Sequence, residues 1–152
     1  MNLPHALTTE PVAPPSHFEA IGGQAVVDRL VNAFYAQMDS RSDSRGIRAM
    51  HEPDLGHTKA VLRLYLAEWL GGPKDYTAQR GHPRLRMRHA TFPIGVPERD
   101  AWLACMAAAM QQTGVPADLH SVLMAAFFKT ADWMRNTPNP PAIPATNPKE
   151  AP

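Results

Sequence analysis

Between Gln24 and Asp39 the apolar residues Val27, Leu30, Val31, Phe34, Tyr35 and Met38 recur at intervals of three and four. At 3.6 residues per turn they share one side, so the pattern predicts a helix with a single apolar face. The spacing returns after Pro53-Asp54, where Leu55, Thr58, Leu62, Tyr65 and Trp69 align and Val61, Leu64 and Leu66 widen the stripe. A third helix is predicted from Pro97-Glu98-Arg99-Asp100 to about Gln112, carrying Trp102, Leu103, Met106, Ala109 and Met110; proline suits its first turn and the acids suit its positive end. A fourth carries Leu119, Val122, Leu123, Ala126, Phe127, Thr130, Trp133 and Met134. No stretch alternates with the period of two that a half-buried strand needs. The chain reads as all-α, with four substantial helices and several short ones.

Turn residues divide these segments. Ser16-His17-Phe18-Glu19 has the form of a capping box opening a short helix, which Gly22-Gly23 ends. Ser40 to Ser44 is a polar break, and a short turn or helix over 45–50 leads to His51. Gly71-Gly72-Pro73 stops the helix before it, and Lys74 to Arg80 is expected to be a loop carrying Tyr76. Pro83 fits the first turn of a short basic helix that ends before Pro93, leaving room for about two turns. Gly114-Val115-Pro116 separates the last two helices.

Composition adds limits. The chain has 152 residues, 44% of them hydrophobic, which suffices for one domain with a real core. Ten of its 16 prolines lie before Ser16 or after Asn136. The expected organisation is therefore a Pro-rich, extended or disordered tail over 1–15, a folded domain over 16–136, and a second such tail over 137–152. The net charge of +1 offers no global case for nucleic acid or membrane. The basic cluster of Arg80, Arg84, Arg86 and Arg88 thus needs a local explanation. The single cysteine, Cys105, excludes an internal disulfide and a multi-cysteine zinc site, and it fits a reducing, cytoplasmic setting. No apolar run approaches the roughly 20 residues of a membrane span. Met1-Asn2-Leu3-Pro4-His5 has no basic region leading into an apolar core, so no signal peptide is expected.

Motifs for phosphate binding, serine hydrolysis and zinc proteolysis are missing from the sequence. Seven histidines occur, but none pair at helical i,i+4 spacing, which argues against a zinc site. Haem iron asks for less, since the porphyrin supplies four nitrogens and one axial histidine suffices. Such a site needs that histidine on a short element, apolar walls on both faces, and cations or phenols near the propionates. Candidates for each are present.

Gly81-His82-Pro83-Arg84-Leu85-Arg86-Met87-Arg88-His89, followed by Phe92-Pro93-Ile94, closely resembles the proximal-histidine segment of group II truncated haemoglobins. Phe34-Tyr35, Trp69-Leu70-Gly71-Gly72-Pro73 with Tyr76, and Asp100-Ala101-Trp102-Leu103 resemble other segments of that family, in order and spacing, over about residues 18–136. The resemblance implies a two-on-two helical sandwich around one haem. It makes His89 the proximal iron ligand, and Tyr35 and Trp102 the distal hydrogen-bond donors. His51 falls at a distal position that is aromatic or His in the family, although a one-residue shift puts Met50 there. Thr58 falls where globins place the residue above the iron, with Leu62 one turn later. Tyr65 is implied as pocket wall. Tyr76, Arg88 and Arg86 are candidates for the propionates, although alternate arginines on a helix cannot all face one way. Phe34, Leu55, Leu85, Met87, Phe92 and Ile94 are candidates for haem contact, whereas Met106, Met124 and Phe127 are expected in the core.

The function implied is reversible binding of O₂ and other diatomic ligands at pentacoordinate or weakly hexacoordinate iron of haem b. A hydrogen bond to a partly charged ligand contributes on the order of 1 to 3 kcal/mol. A tenfold change in release rate needs only about 1.4 kcal/mol, so two or three donors imply slow O₂ release. Two other functions stay open at this level. One is haem redox chemistry, such as nitric oxide dioxygenation or peroxidase-like turnover, with an external reductant. The other is a helical partner-binding module without haem. A nucleic-acid role lacks both a long basic helix and a base-stacking set. A monomer and a homodimer are equally compatible with the sequence.

Overall fold

The computed structural model describes residues 13–138. The tail segments before and after this span, expected to be extended or disordered, lie outside the described residues. The chain forms α1 (His17–Ile21), α2 (Gln24–Ser40), a 3-10 turn (Ser42–Ser44), α3 (Arg45–Ala49), α4 (Gly56–Trp69), α5 (Asp75–Arg80), α6 (Leu85–His89), α7 (Val96–Gln112) and α8 (Ala117–Trp133). There is no strand among the described residues.

The core is built on α2 and α7. α2 buries Val27, Leu30, Val31, Ala33, Phe34, Tyr35 and Met38, the stripe that the periodicity predicts together with Ala33. α7 buries Ala101, Leu103, Cys105, Met106, Ala109 and Met110 against it. Each fully buried Leu, Phe or Met contributes about 1.5–3 kcal/mol relative to exposure. α4 packs on α2, and α8 packs on α7, which gives two helix pairs laid across each other. Ser16 caps α1 by accepting from the Glu19 N–H at 3.2 Å.

Gly71 and Gly72 end α4 as a Schellman motif. Gly71 adopts a left-handed φ of 94°. Its N–H donates to the Glu68 carbonyl, and the Gly72 N–H donates to the Ala67 carbonyl at 2.7 Å. A Cβ on Gly72 would stand 2.6 Å from the Phe18 ring, so the close seat of α1 on this corner requires glycine.

Three boundaries differ from the sequence expectation. The segment expected as a loop over 74–80 contains helix α5. Asp75 in its first turn and Arg80 in its last complement the helix dipole. Glu68 ties it to α4, accepting from the Thr77 N–H at 3.2 Å and the Thr77 hydroxyl at 2.7 Å. α4 begins at Gly56 rather than at Pro53-Asp54, because the Asp54 carboxylate turns the chain by accepting from the Gly56 N–H at 2.8 Å. α6 begins at Leu85, so Pro83 lies before the helix and not in its first turn. Arg84 takes a left-handed φ of 44°, and its N–H donates to His82 Nδ1 at 3.0 Å, which holds the bend in front of the helix.

Candidate functional site

α4 has an apolar stripe that the protein does not bury. Of its 14 residues only Leu66 and Ala67 are buried. Thr58, Val61, Leu62, Tyr65 and Trp69 are half-buried and line one cavity of about 570 Å³. That volume is within the usual range for a bound organic molecule, about 300–1,000 Å³. α2, α3, α5, α6, α7 and α8 contribute the remaining wall. An amphipathic helix whose apolar side faces a cavity leaves part of its burial to a ligand.

His89, the last residue of α6, lines this cavity. Its Nδ1 lies 2.6 Å from the Leu85 carbonyl. A carbonyl only accepts, so Nδ1 carries the proton, and the lone pair of neutral imidazole is left on Nε2. This is the tautomer and the outer partner that a metal-ligating histidine requires. No group of three or more His, Cys, Asp or Glu residues suited to a metal ion occurs among the described residues. A metal at His89 would therefore need most of its ligands from a cofactor, as haem provides.

Tyr35 and Trp102 line the same cavity from α2 and α7. Neither the Tyr35 hydroxyl nor the Trp102 indole N–H has a hydrogen-bond partner among the described residues. Burial raises the pKa of Tyr35 far above the ordinary phenol range, so the hydroxyl stays a donor. The Phe34 ring holds both side chains, with centroids 5.0 Å from Tyr35 and 5.2 Å from Trp102. Phe127 closes the other side of Trp102 at 5.5 Å and stacks on Trp69 at 4.5 Å.

His51 also reaches the cavity, with its ring edge-on to Tyr35 at 5.8 Å. Its Nδ1 is 2.7 Å from the Ile47 carbonyl, so Nε2 is again the free nitrogen. Met50, the alternative at this position, lines the cavity as well. Thr58 and Leu62 are joined there by their helical neighbours His57 and Val61.

The polar lining is mainly basic and phenolic, with Glu52 and Glu98 as its carboxylates. Arg80, Arg88 and Tyr76 line the cavity. The Nε of Arg80 is buried with no hydrogen-bond partner, and its guanidinium lies 5.9 Å from the Tyr76 ring centroid. An unmet buried cationic N–H is costly, and it suits an anionic ligand group such as a propionate. Arg99 is also on the wall, but it pairs with Asp100 at 2.9 Å and Asp132 at 2.7 Å. Tyr65, Leu85, Phe92 and Ile94 complete the predicted residues that the cavity brings together.

Phe34, Leu55 and Arg86, also nominated from the sequence, do not line the cavity. Phe34 is fully buried behind Tyr35 and Trp102, since adjacent residues on a helix face different ways. Leu55 is buried in the core at the start of α4. Arg86 stacks over Trp133 at 4.6 Å. Met87, another wall candidate, is 62% exposed. Sequence reasoning passed over His57, Arg80 and Phe127 as site residues. Phe127 carried only the signal of a core stripe, and in the structure it serves both core and cavity wall.

Comparison with known proteins agrees with this geometry. The model of the bacterial-like globin family matches residues 16–136. The group 2 truncated hemoglobin YjbI of Bacillus subtilis is 36% identical over 119 residues, covering 78% of this chain and 87% of the relative. The crystal structure of a hemoglobin from Chloroflexus aurantiacus is 44% identical, with a TM-score of 0.75, covering 82% of this chain and 100% of that one. The group II 2-on-2 hemoglobin of Agrobacterium tumefaciens is 39% identical, with a TM-score of 0.79, covering 84% and 98%. With the two-on-two helix packing and a cavity into which His89 and His51 each present a free imidazole nitrogen, these matches show that the chain belongs to the bacterial-like globin family, as a group II truncated haemoglobin and hence a haem globin.

Proposed function

We propose that the protein binds O₂ and other diatomic ligands reversibly and releases O₂ slowly, using haem b held in this cavity with His89 as the iron ligand. The observation that carries the proposal is one apolar cavity containing an imidazole with a free Nε2 and two donors, Tyr35 and Trp102, without protein partners. Haem, when bound, supplies a redox-active iron with one position open to a small ligand. The chain supplies the rest. His89 Nε2 ligates, and the Leu85 carbonyl orients it. Arg80, Arg88 and Tyr76 hold the propionates through charge-assisted hydrogen bonds. The apolar face of α4 excludes water, which strengthens every polar contact inside. The Trp102 indole can only donate, so it favours a ligand bearing partial negative charge.

The type b assignment rests on the only cysteine. Cys105 is buried in α7 and belongs to no C-x-x-C-H motif, so thioether attachment of the c type has no anchor. We take residues 16–136 as the globin unit and place the protein in the cytoplasm, in keeping with its free thiol. No helix among the described residues is long and apolar enough to cross a membrane.

His51 favours a second reading, turnover of nitric oxide or peroxide with an external reductant. Its free Nε2 beside Tyr35 places a proton-accepting nitrogen inside the cavity. Stopped-flow measurement of O₂ release tests the first reading. Slow release that accelerates in Trp102→Phe is expected, while fast release unaffected by Trp102→Phe and Tyr35→Phe would refute it. Mixing the oxygenated protein with nitric oxide, and the ferric protein with peroxide, tests the second. Rapid reaction slowed in His51→Ala supports turnover, and its absence leaves reversible binding.

A further inference from the structure

α6 is an unlikely place for a rigid ligand. It has five residues, none of them buried, and no side-chain cap at its N-terminus. Packing alone cannot fix the His89 imidazole, because a helix this short is unstable in water. The described residues show what else holds it.

Just past the end of α8, Asn136 spends its whole side-chain amide on the segment that follows the ligand. Its Nδ2 donates to the His89 carbonyl at 3.2 Å and to the Phe92 carbonyl at 2.8 Å. Its Oδ1 accepts from the Ile94 N–H at 2.9 Å. The backbone repeats the tie, with the Asn136 and Thr137 N–H groups both donating to the Ile94 carbonyl, at 2.8 and 3.1 Å. Two donors and one acceptor on a planar group fit this pattern in only one amide orientation. Aspartate cannot reproduce it, since a carboxylate accepts only. Leucine, similar in size, satisfies none of the three groups. Upstream, Arg86 on α6 stacks over Trp133 near the end of α8, a second tether from the same region.

We propose that Asn136 is a positioning residue for the iron ligand, acting as a clip that fixes the C-terminal end of α6 and thereby the orientation of the His89 ring. It touches neither the cavity nor any ligand; it acts through the backbone of His89. The inference rests on His89 being the haem ligand and adds what holds that ligand in place. Orienting partners of metal-bound histidines commonly change metal affinity by about 10- to 100-fold when removed, and Asn136 is expected at the lower end of that range.

The test uses the full chain, loaded with haem, as wild type, Asn136→Ala and Asn136→Asp. Ser16→Ala, which removes the distant cap on α1, controls for general destabilisation. Resonance Raman of the ferrous protein reads the iron–histidine stretch, and transfer of haem to an acceptor apoprotein reads its loss. Amide exchange of the apoprotein reads the Ile94 N–H without any haem. Both Asn136 variants should shift or broaden the stretch, lose haem about tenfold faster, and expose the Ile94 amide, whereas Ser16→Ala should leave the stretch at the wild-type position. An unchanged stretch and haem loss within about twofold of wild type, in a protein that still loads haem through His89, would overturn the clip alone. A wild type that takes up no haem would overturn both the clip and the haem assignment on which it rests. A variant too unstable to load haem is still decided by exchange, since an Ile94 amide no more exposed than in Ser16→Ala would also refute the clip.

Discussion

The two sides of the cavity are built in opposite ways. Tyr35 and Trp102 stand on 17-residue helices in the core, and the fully buried Phe34 ring packs against both. His89 stands on a five-residue helix with no buried residue, held by hydrogen bonds from Asn136 and a cation–π contact between Arg86 and Trp133. The donor side inherits its geometry from hydrophobic packing, so it is as rigid as the core. The ligand side depends on a few polar contacts, each worth about 0.5–1.5 kcal/mol. In such a design the pocket's donors are preorganised, while His89, the proposed iron ligand, is the part most open to tuning.

The contrast should be plainest in stability. Phe34→Ala should cost about 3–5 kcal/mol by urea unfolding, because it opens a void behind both donors. Met87→Ala on the exposed face of α6 should cost no more than about 0.5 kcal/mol. Comparable losses would mean that α6 is packed as the core is. Next in size, Trp102→Phe should speed O₂ release about tenfold, equivalent to about 1.4 kcal/mol, since it deletes a donor but keeps the packing with Phe34 and Phe127.

The wall between α4 and α5 offers a pH test. Burial, with Tyr76 beside it, pushes the Tyr65 phenol up to about 12 in the folded protein, from about 10 when unfolded. The unfolded chain therefore loses this proton first. The stabilisation is complete below about pH 10 and is lost as pH rises towards about 12. Urea midpoints of the apoprotein at about pH 9 and about pH 11 should differ less in Tyr65→Phe than in wild type; equal differences would show that Tyr65 does not contribute. A small effect should also come from Arg86→Ala. Losing its contact with the exposed Trp133 should cost about 0.5–1 kcal/mol by urea unfolding; an unchanged midpoint would show that the contact holds nothing.

The division between the two sides also explains what could be read from the sequence. The α2 stripe is a periodic pattern enforced by burial, and Val27, Leu30, Val31, Phe34, Tyr35 and Met38 are buried as the spacing predicts. The α4 stripe was equally legible, but periodicity cannot distinguish a face that meets core from one that meets a cavity. Thr58, Leu62 and Tyr65 were assigned to the pocket through family resemblance and not through spacing. The short elements obeyed local rules that leave weak traces. α5 has six residues, too few for a repeat to show, and its tie to Glu68 links positions nine apart. The start of α6 turned on a left-handed Arg84 and a bond from its N–H to His82, which no propensity of Pro83 announces. Asn136 carried no signal at all. Its importance arises from contacts 42 to 47 residues away, across a fold that must first be in hand.

In the proposed function His89 alone links this helical scaffold to haem iron. The most direct measurement is titration of the purified apoprotein with haemin, followed by absorbance, in wild type, His89→Ala and His51→Ala. Wild type should take up haemin stoichiometrically with a strong Soret band, His89→Ala should lose that band almost completely, and His51→Ala should retain it. A wild type that takes up no haemin, or a His89→Ala variant with an undiminished wild-type spectrum, would contradict it.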